Sequence, residues 1–195
     1  KEKTPKMYEW WVRHKLLLIE SGLSRQVIKK CVEERPLPFR NDFDSFMKVL
    51  NNENIPLVIL SASLTPMIKE YMESYHPLYK NIHIIANDFE FNSEGIVTKI
   101  IEPVIHVFNK SEITLHKLPI YSELEKRKNV LLLGDGLGDV GMIEGFEYDN
   151  LIKIGFLNEN VEQNLDSFKK NYDVVIIGDG DFSYVNNLLK KILKK

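Results

Sequence analysis

The sequence has little of several features that mark particular classes of protein. Its 195 residues contain a single cysteine, Cys31, so no internal disulfide can form, and a reducing compartment is the simplest expectation. The formal net charge is only −2, whereas a dedicated nucleic-acid binder usually carries a strong basic excess. No apolar run approaches the roughly 18 residues that span a bilayer, and residues 1–11 lack the apolar core of a signal peptide. We therefore expect a cytoplasmic protein that binds neither nucleic-acid polymers nor membranes.

What is present is the composition of a globular protein. Apolar residues make up 44% of the chain, charged residues 28% and aromatic residues 10%, which excludes a disordered, collagen-like or coiled-coil chain. A chain of this length can bury a sizeable core as one domain, or as one domain with a small appendage. Cys31 lies in the helical pattern VIKKCVEE, which favours a packed thiol over a catalytic one.

The first 38 residues predict two helices and a boundary. Apolar positions recur with helical spacing over residues 6–34, and Gly22 and Ser24 are typical of a helix end and a helix start. Pro36 and Pro38 interrupt the helical pattern and mark the boundary.

Strands and helices alternate in the rest of the chain. The predicted strands are residues 56–60, 82–86, 129–134, 151–156 and 173–178, and the predicted helices include residues 42–54, 64–75 and 110–127. Residues 88–108 predict a hairpin that turns at Asn92–Gly95 and places His106 on a strand. This alternation predicts an α/β fold with a mostly parallel sheet.

Two groups of residues near predicted strand ends are candidates for phosphate binding, because ligands of open α/β sheets bind at the carboxyl ends of the strands. Ser61, Ala62 and Ser63 follow the strand 56–60, where a serine and a backbone amide can hold a phosphate-sized anion. An ordinary helix-capping serine is the alternative. Lys110 could neutralise a phosphate as a point charge, and a surface lysine is the alternative.

The run GDGLGD at residues 134–139 is the stronger signal. It places Asp135 and Asp139 on a glycine-rich turn after an apolar strand, where crowded carboxylates favour a cation and suit Mg²⁺. A glycine turn with two solvated acids is the alternative. A dinucleotide fingerprint is excluded, because Asp139 stands where its last glycine belongs. The second acidic run, residues 178–181, predicts only a turn that caps the last helix.

The ordered set of a strand-end serine, a distant lysine and a strand followed by GDxxGD resembles motifs two, three and four of the haloacid dehalogenase superfamily of phosphohydrolases. A closer resemblance, from about residue 6 onward, is to the cytosolic pyrimidine 5′-nucleotidases of the type III family, which include 7-methylguanosine-phosphate-specific enzymes. It is carried by the segments KMYEWW (6–11), IPLVILSAS (55–63), HVFNK (106–110), NVLLLGDGLGDVGM (129–142) and LIKIGFLN (151–158).

The resemblance implies Mg²⁺-dependent hydrolysis of nucleoside 5′-monophosphates, with pyrimidine or 7-methylguanine bases, through an aspartyl-phosphate intermediate. It implies that Ser61 and the Ala62 amide bind phosphate oxygens, and that Lys110 offsets the charge that develops on the phosphoryl group. Asp135 would ligate Mg²⁺ and Asp139 would orient the ligands around it.

The nucleophile motif of the resembled family, Asp-x-Asp-x-Thr, ends the first core strand and precedes the cap helices. We therefore expect it upstream of Lys1, in a segment of the same protein that also fills the sheet. Asp42 and Asp44 have the required spacing, but their helical context indicates acids at a helix N-terminus. The resemblance assigns residues 1–38 to the C-terminal part of a helical cap and residues 39–195 to the α/β core without its first strand.

The resemblance also implies that the cap reads the nucleobase. His14 stands where the family has a small polar residue that contacts the nucleotide, and a surface histidine is the alternative. Trp10 could stack on a base, because an aromatic face accepts any base, and apolar packing is the alternative. Two other functions stay open at this point: a phosphate- or nucleotide-binding module without catalysis, and a nucleoside phosphotransferase.

Overall fold

The computed structural model describes residues 3–107, 109–110 and 119–193. The chain divides into two compact units. The first unit comprises Lys1–Pro38 and Leu57–Lys110, and the second comprises Phe39–Pro56 and Ser111–Lys195. The described helices are α1 (Lys3–Glu20), α2 (Arg25–Glu34), α3 (Phe43–Asn52), α4 (Thr65–Tyr75), α5 (Tyr121–Leu124), α6 (Val161–Asn171) and α7 (Ser183–Leu193), with a 3₁₀ helix over Leu137–Ile143. The described strands are β1 (Leu57–Leu64), β2 (Ile82–Phe91), β3 (Val97–Ile101), β4 (Asn129–Gly134), β5 (Asn150–Leu157) and β6 (Val174–Ile177).

The first unit contains a three-stranded sheet in the order β1-β2-β3. β1 and β2 are parallel, and β2 and β3 form the predicted antiparallel hairpin. At its turn, the Asn92 side-chain oxygen accepts hydrogen bonds from the Glu94 and Ile96 N–H groups at 3.0 and 2.9 Å, and Gly95 has a φ of +76°. These are the reasons why asparagine and glycine are suited to this turn.

The ends of the first two helices follow the predicted chemistry. Gly22, at φ +75°, donates to the Ile19 carbonyl, and Leu23 donates to the Leu18 carbonyl, which is the Schellman arrangement that ends a helix. Ser24 then caps α2, because its side chain accepts a hydrogen bond from the Val27 N–H. Leu23 is buried in the core of this unit.

The second unit contains three parallel strands in the order β4-β5-β6. Its core includes Leu132 and Leu157 from the sheet and Phe168 and Tyr172 from α6 and its C-terminal cap. Asp42 directly precedes α3 and Asp44 lies in its first turn, as the sequence predicts.

The α/β class with parallel strands is confirmed, and β1 and β4 are each an edge strand of their described sheet. The expectation that an upstream segment fills the sheet stays a prediction. None of the helices in the described part of the chain combines the length and the apolar character needed to cross a bilayer.

Two predictions from the sequence are wrong, and a third lies partly outside the described residues. His106 does not lie on a strand: β3 ends at Ile101, since Pro103 has no N–H to continue the ladder. Cys31 is exposed rather than packed, because Ile28 and Val32 define the buried face of α2 and Cys31 is turned about 100° from Val32. Residues 111–118 of the predicted helix 110–127 lie outside the described residues, and of the described remainder only Tyr121–Leu124 is α-helical.

Candidate active site

The predicted phosphate-binding segment lies on an irregular part of β1. The ladder with β2 pairs Leu60 with Ile85 and next pairs Leu64 with Asn87. β1 therefore has three residues, Ser61, Ala62 and Ser63, between these pairs where β2 has one. Such a bulge takes residues out of the regular ladder and re-aims them. Within it, the Ser61 hydroxyl oxygen accepts a hydrogen bond from the Ser63 N–H at 3.1 Å.

Asn87, a buried asparagine on β2, hydrogen-bonds to the backbone of this bulge. The Asn87 amide nitrogen donates to the carbonyl oxygens of Ala62 and Ser63 at 2.7 and 3.2 Å. The same nitrogen donates to the Ile105 carbonyl at 2.9 Å, and the Asn87 oxygen accepts from the Ile105 N–H at 2.8 Å. Asn87 thus joins the bulge to the segment that leads to Lys110.

A second asparagine shapes the backbone just before Lys110. The Asn109 side-chain oxygen accepts from the His106 N–H at 2.7 Å, and its nitrogen donates to the Val104 carbonyl at 2.9 Å. Asn109 is buried, whereas Lys110 is half-buried. The lysine therefore projects from a backbone that is fixed by its neighbour.

In the second unit, the acidic turn follows β4 as predicted. Asp139 is buried, and its Oδ2 accepts hydrogen bonds from the N–H groups of Asp135 and Gly136, both at 3.0 Å. Asp135 is exposed. The two carboxylates therefore differ in task, since Asp139 holds the turn together and Asp135 is presented on it.

Tyr172 supports the same turn from the core. Its hydroxyl donates to the Gly136 carbonyl at 2.5 Å, and its oxygen lies 2.6 Å from the place where a Cβ on Gly134 would be. Burial, followed by the nearby charges of Asp139 and Asp135, raises the pKa of Tyr172 above its ordinary value. The phenol therefore stays protonated and remains a hydrogen-bond donor.

The carboxylates of the acidic turn can provide part of a Mg²⁺ site. Among the described residues, no group of three or more His, Cys, Asp and Glu side chains is placed to hold a metal. Mg²⁺ does not require such a cage, because it keeps several waters and takes one or two carboxylates together with substrate phosphate. The exposed carboxylate of Asp135, on a turn fixed by Asp139, meets that requirement.

Helix α1 carries an aromatic and basic cluster. The rings of Trp10 and His14 stack at 5.6 Å with an interplanar angle of 22°, and 59% of Trp10 is exposed. Partial burial, and then the charge of Lys15, lower the pKa of His14. Lys15 is only 1% exposed and its Nζ lies 4.6 Å from the centroid of the Trp11 ring.

Within each unit, hydrogen bonds connect the segments that carry the predicted site residues. Asn87 connects the bulge of Ser61 and Ala62 to the Lys110 segment, and Asp139 bonds to the backbone of Asp135. Sequence reasoning missed Asn87, Tyr172 and the buried Lys15, and it gave no role to Asn109 of the HVFNK segment. For Lys15 alone there was a local signal, since it follows Trp11 by four residues on one helix face.

Comparison with known proteins gives consistent matches. A model of the pyrimidine 5′-nucleotidase (UMPH-1) family matches residues 1–193. The 7-methylguanosine phosphate-specific 5′-nucleotidase of Homo sapiens is 34% identical over 194 residues, which cover 99% of this chain and 65% of the human protein. This chain therefore spans just under two thirds of that relative.

Solved structures show the same fold. Cytosolic 5′-nucleotidase IIIB bound to cytidine matches with a TM-score of 0.85 and 24% identity, over 98% of this chain and 64% of that one. A HAD family hydrolase of Salmonella enterica matches with a TM-score of 0.60 and 17% identity, over 88% of this chain and 53% of that one. The architecture is thus the α/β fold of the haloacid dehalogenase type.

Proposed function

Because this chain belongs to the pyrimidine 5′-nucleotidase (UMPH-1) family, we propose that it is part of a Mg²⁺-dependent 5′-nucleotidase. The reaction is the hydrolysis of nucleoside 5′-monophosphates, with pyrimidine or 7-methylguanine bases, to nucleoside and phosphate. The family match over residues 1–193 carries this proposal. The ordered bulge, the fixed Lys110 segment and the acidic turn support it.

On the phosphate side, we assign substrate binding to Ser61 and the Ala62 amide. The bulge supports this role because residues outside a regular ladder can turn toward a ligand. Lys110 offsets the negative charge that grows on the phosphoryl group in the transition state, and a preorganised charge of this kind is a large part of phosphoryl-transfer catalysis.

On the metal side, Asp135 ligates Mg²⁺, directly or through water, and Asp139 orients the turn. When bound, Mg²⁺ supplies neutralisation of the substrate phosphate charge. The bonds from Asp139 to two backbone N–H groups support its role as an orienting residue rather than a ligand.

The nucleophile is proposed to be an aspartate upstream of Lys1. It attacks phosphorus to form an aspartyl-phosphate, and a second aspartate two residues later protonates the leaving oxygen and then activates water. The resemblance of the chain to the family, from about residue 6 onward, supports this assignment. The resemblance implies that the upstream segment also fills the sheet.

At the other end of the substrate, we assign base binding to Trp10 and His14. The exposed Trp10 ring, stacked on His14, supports this assignment. The division into cap (1–38) and core (39–195), and a cytoplasmic location, complete the proposal. The word cytosolic in the name of the structural relative supports the location.

The proposal is tested with the full-length protein by phosphate release from CMP, UMP and 7-methyl-GMP in the presence of Mg²⁺. We expect release from at least one of them. Asp135→Asn should lower turnover by at least about 100-fold, because an amide binds Mg²⁺ more weakly than a carboxylate. Asp166→Asn is the control, since Asp166 is an exposed acid on α6 and should leave turnover unchanged.

The same assay separates the alternatives. Nucleotide binding without phosphate release would identify a binding module. Transfer of phosphate to an added nucleoside in preference to water would identify a phosphotransferase. Wild-type turnover by Asp135→Asn would show that the metal role is misassigned.

A further inference from the structure

Asn87 lies where β2 changes partner. Its pairing with Leu64 is the last of the β1 ladder, and the next residue, Asp88, pairs with Ile101 of β3. The side chain is 1% exposed, so its amide cannot rely on water for hydrogen bonds. Its side-chain amide is hydrogen-bonded to the backbone of three other residues.

The surroundings fix the orientation of the Asn87 amide. Three carbonyl oxygens, of Ala62, Ser63 and Ile105, surround one end at 2.7, 3.2 and 2.9 Å. An N–H group, of Ile105, faces the other end at 2.8 Å. Only the nitrogen can face the carbonyls, and since it has two hydrogens, the longer contact to Ser63 shares one of them.

These bonds connect two segments that are far apart in sequence. Ala62 and Ser63 belong to the β1 bulge, where the regular ladder is interrupted. Ile105 lies beyond β3 and belongs to no strand or helix. The Asn87 amide therefore links the bulge to the segment that leads to Lys110, and Asn109 holds the backbone of that segment.

We propose that Asn87 is a positioning residue that sets the Ser61–Ala62 bulge and the Lys110 segment at a fixed separation, so that both contact the same phosphoryl group. This inference rests on the proposed function, because it takes the phosphate-binding roles of Ser61, Ala62 and Lys110 from it. Asn87 itself touches backbone and not substrate, so its effect is exerted through these three residues. Small displacements of such groups slow a reaction strongly, since a shift of about 1 Å can lower its rate by about 100-fold.

A purely structural role makes a different prediction. If Asn87 only stabilises the fold, its removal lowers the melting temperature, but the folded protein binds phosphate as the wild type does. If Asn87 positions the two segments, the folded variant also binds phosphate more weakly. Affinity for inorganic phosphate in the presence of Mg²⁺ therefore distinguishes the roles, and it can be measured whether or not the protein turns over substrate.

The experiment uses full-length Asn87→Ala and Asn87→Ser, each studied well below its own melting temperature. The serine variant retains one short polar group and serves if the alanine variant does not fold. Asn186→Ala is the matched control, because Asn186 is a buried asparagine of α7 whose amide donates to the Asp42 carbonyl in the second unit. Phosphate binding is measured by calorimetry, and KM and kcat with CMP or 7-methyl-GMP.

We expect the dissociation constant for phosphate, and KM, to rise about tenfold in the Asn87 variant, with little change in Asn186→Ala despite its lower stability. Wild-type phosphate affinity in a folded Asn87 variant would overturn the inference. An equal loss in Asn186→Ala would also overturn it. If the wild type binds phosphate but releases none from any nucleotide, the proposed hydrolysis fails, while the calorimetric comparison still decides the role of Asn87.

Discussion

The two units secure their predicted site segments by different means. Of the seven polar or charged residues buried in the described structure, five lie in the first unit and two in the second. The first unit fixes its bulge and its lysine segment with the buried amides of Asn87 and Asn109. The second fixes its acidic turn with the Asp139 carboxylate and the Tyr172 hydroxyl, and it packs the Tyr172 ring against Gly155.

The difference matters for tolerance to change. When a buried side-chain amide is removed, the backbone groups that it bonds to lose their hydrogen-bond partner. Each backbone group left unpaired lowers the stability by about 1–3 kcal/mol. A glycine beneath an aromatic ring has no bond to lose, but it has no room for a methyl group. The first unit should therefore be sensitive to removal of polar groups, and the second to addition of volume.

Gly155 gives the largest expected effect on stability. A Cβ at this position would lie 2.8 Å from two atoms of the Tyr172 ring and 2.9 Å from Phe168. Since both rings are packed in the core of the second unit, Gly155→Ala should lower the free energy of unfolding by about 2–3 kcal/mol. Chemical denaturation measures this.

Gly136→Ala is the matched control for Gly155→Ala. A Cβ on Gly136 would meet only Asp139 Oδ2, at 3.7 Å, and its φ of −141° suits alanine. Its unfolding free energy should stay within about 1 kcal/mol of the wild type. Equal unfolding free energies of the two variants would contradict the argument that lack of space at Gly155 makes the second unit sensitive to added side-chain volume.

Lys15 gives an intermediate effect, of opposite sign. Burial lowers its pKa to about 8, whereas an unfolded lysine has a pKa of about 10.4. Between these values the unfolded chain binds more protons than the folded one, so stability rises with pH. Below pH 8 the full penalty of the buried charge is present, and Lys15→Met should therefore stabilise the protein by about 1–2 kcal/mol at pH 7.

The pH dependence makes the Lys15 prediction specific. The advantage of Lys15→Met should shrink as the pH rises from 8 toward 10, when the wild type loses the charge. Lys6→Met, at an exposed position of the same helix, should show no such trend. A constant difference between Lys15→Met and the wild type across this range would contradict the assignment of the effect to the lysine charge.

Local chemistry made much of the fold predictable. The Schellman glycine Gly22, the capping Ser24 and the Asn92–Gly95 turn act through bonds to residues within five positions, so a short stretch of sequence contains both partners. The apolar runs predicted the strands because buried parallel strands have little choice of residue. The prediction for Cys31 was wrong because helical spacing shows which residues share a face but not where the buried face stops.

The candidate site was predictable only in part. Ser61, Lys110 and the acidic turn carry recognisable residues at recognisable places. The residues that support them do not, because Asn87 bonds to partners 18 to 25 positions away and Tyr172 to one 36 positions away. An asparagine or tyrosine has many ordinary uses, and only the folded chain shows which backbone groups lie within its reach.

The smallest expected effect belongs to the Tyr172 hydroxyl. Tyr172→Phe keeps the ring that stacks on Phe168 at 5.2 Å and removes only the hydrogen bond to the Gly136 carbonyl, so stability should fall by about 1 kcal/mol. Because Gly136 lies in the turn that presents Asp135, the affinity for Mg²⁺ should also fall a few fold. Calorimetric titration of the full-length protein with Mg²⁺ measures this without relying on turnover.

Tyr184→Phe is the control for Tyr172→Phe, because Tyr184 is 48% exposed on α7 and should change neither quantity. If Tyr172→Phe lost stability but kept the wild-type affinity for Mg²⁺, the hydroxyl would support the core and not the turn. The acidic turn would then depend on Asp139 alone for its shape. The second unit would in that case resemble the first, because only buried polar side chains would hold the segment that presents the reactive group.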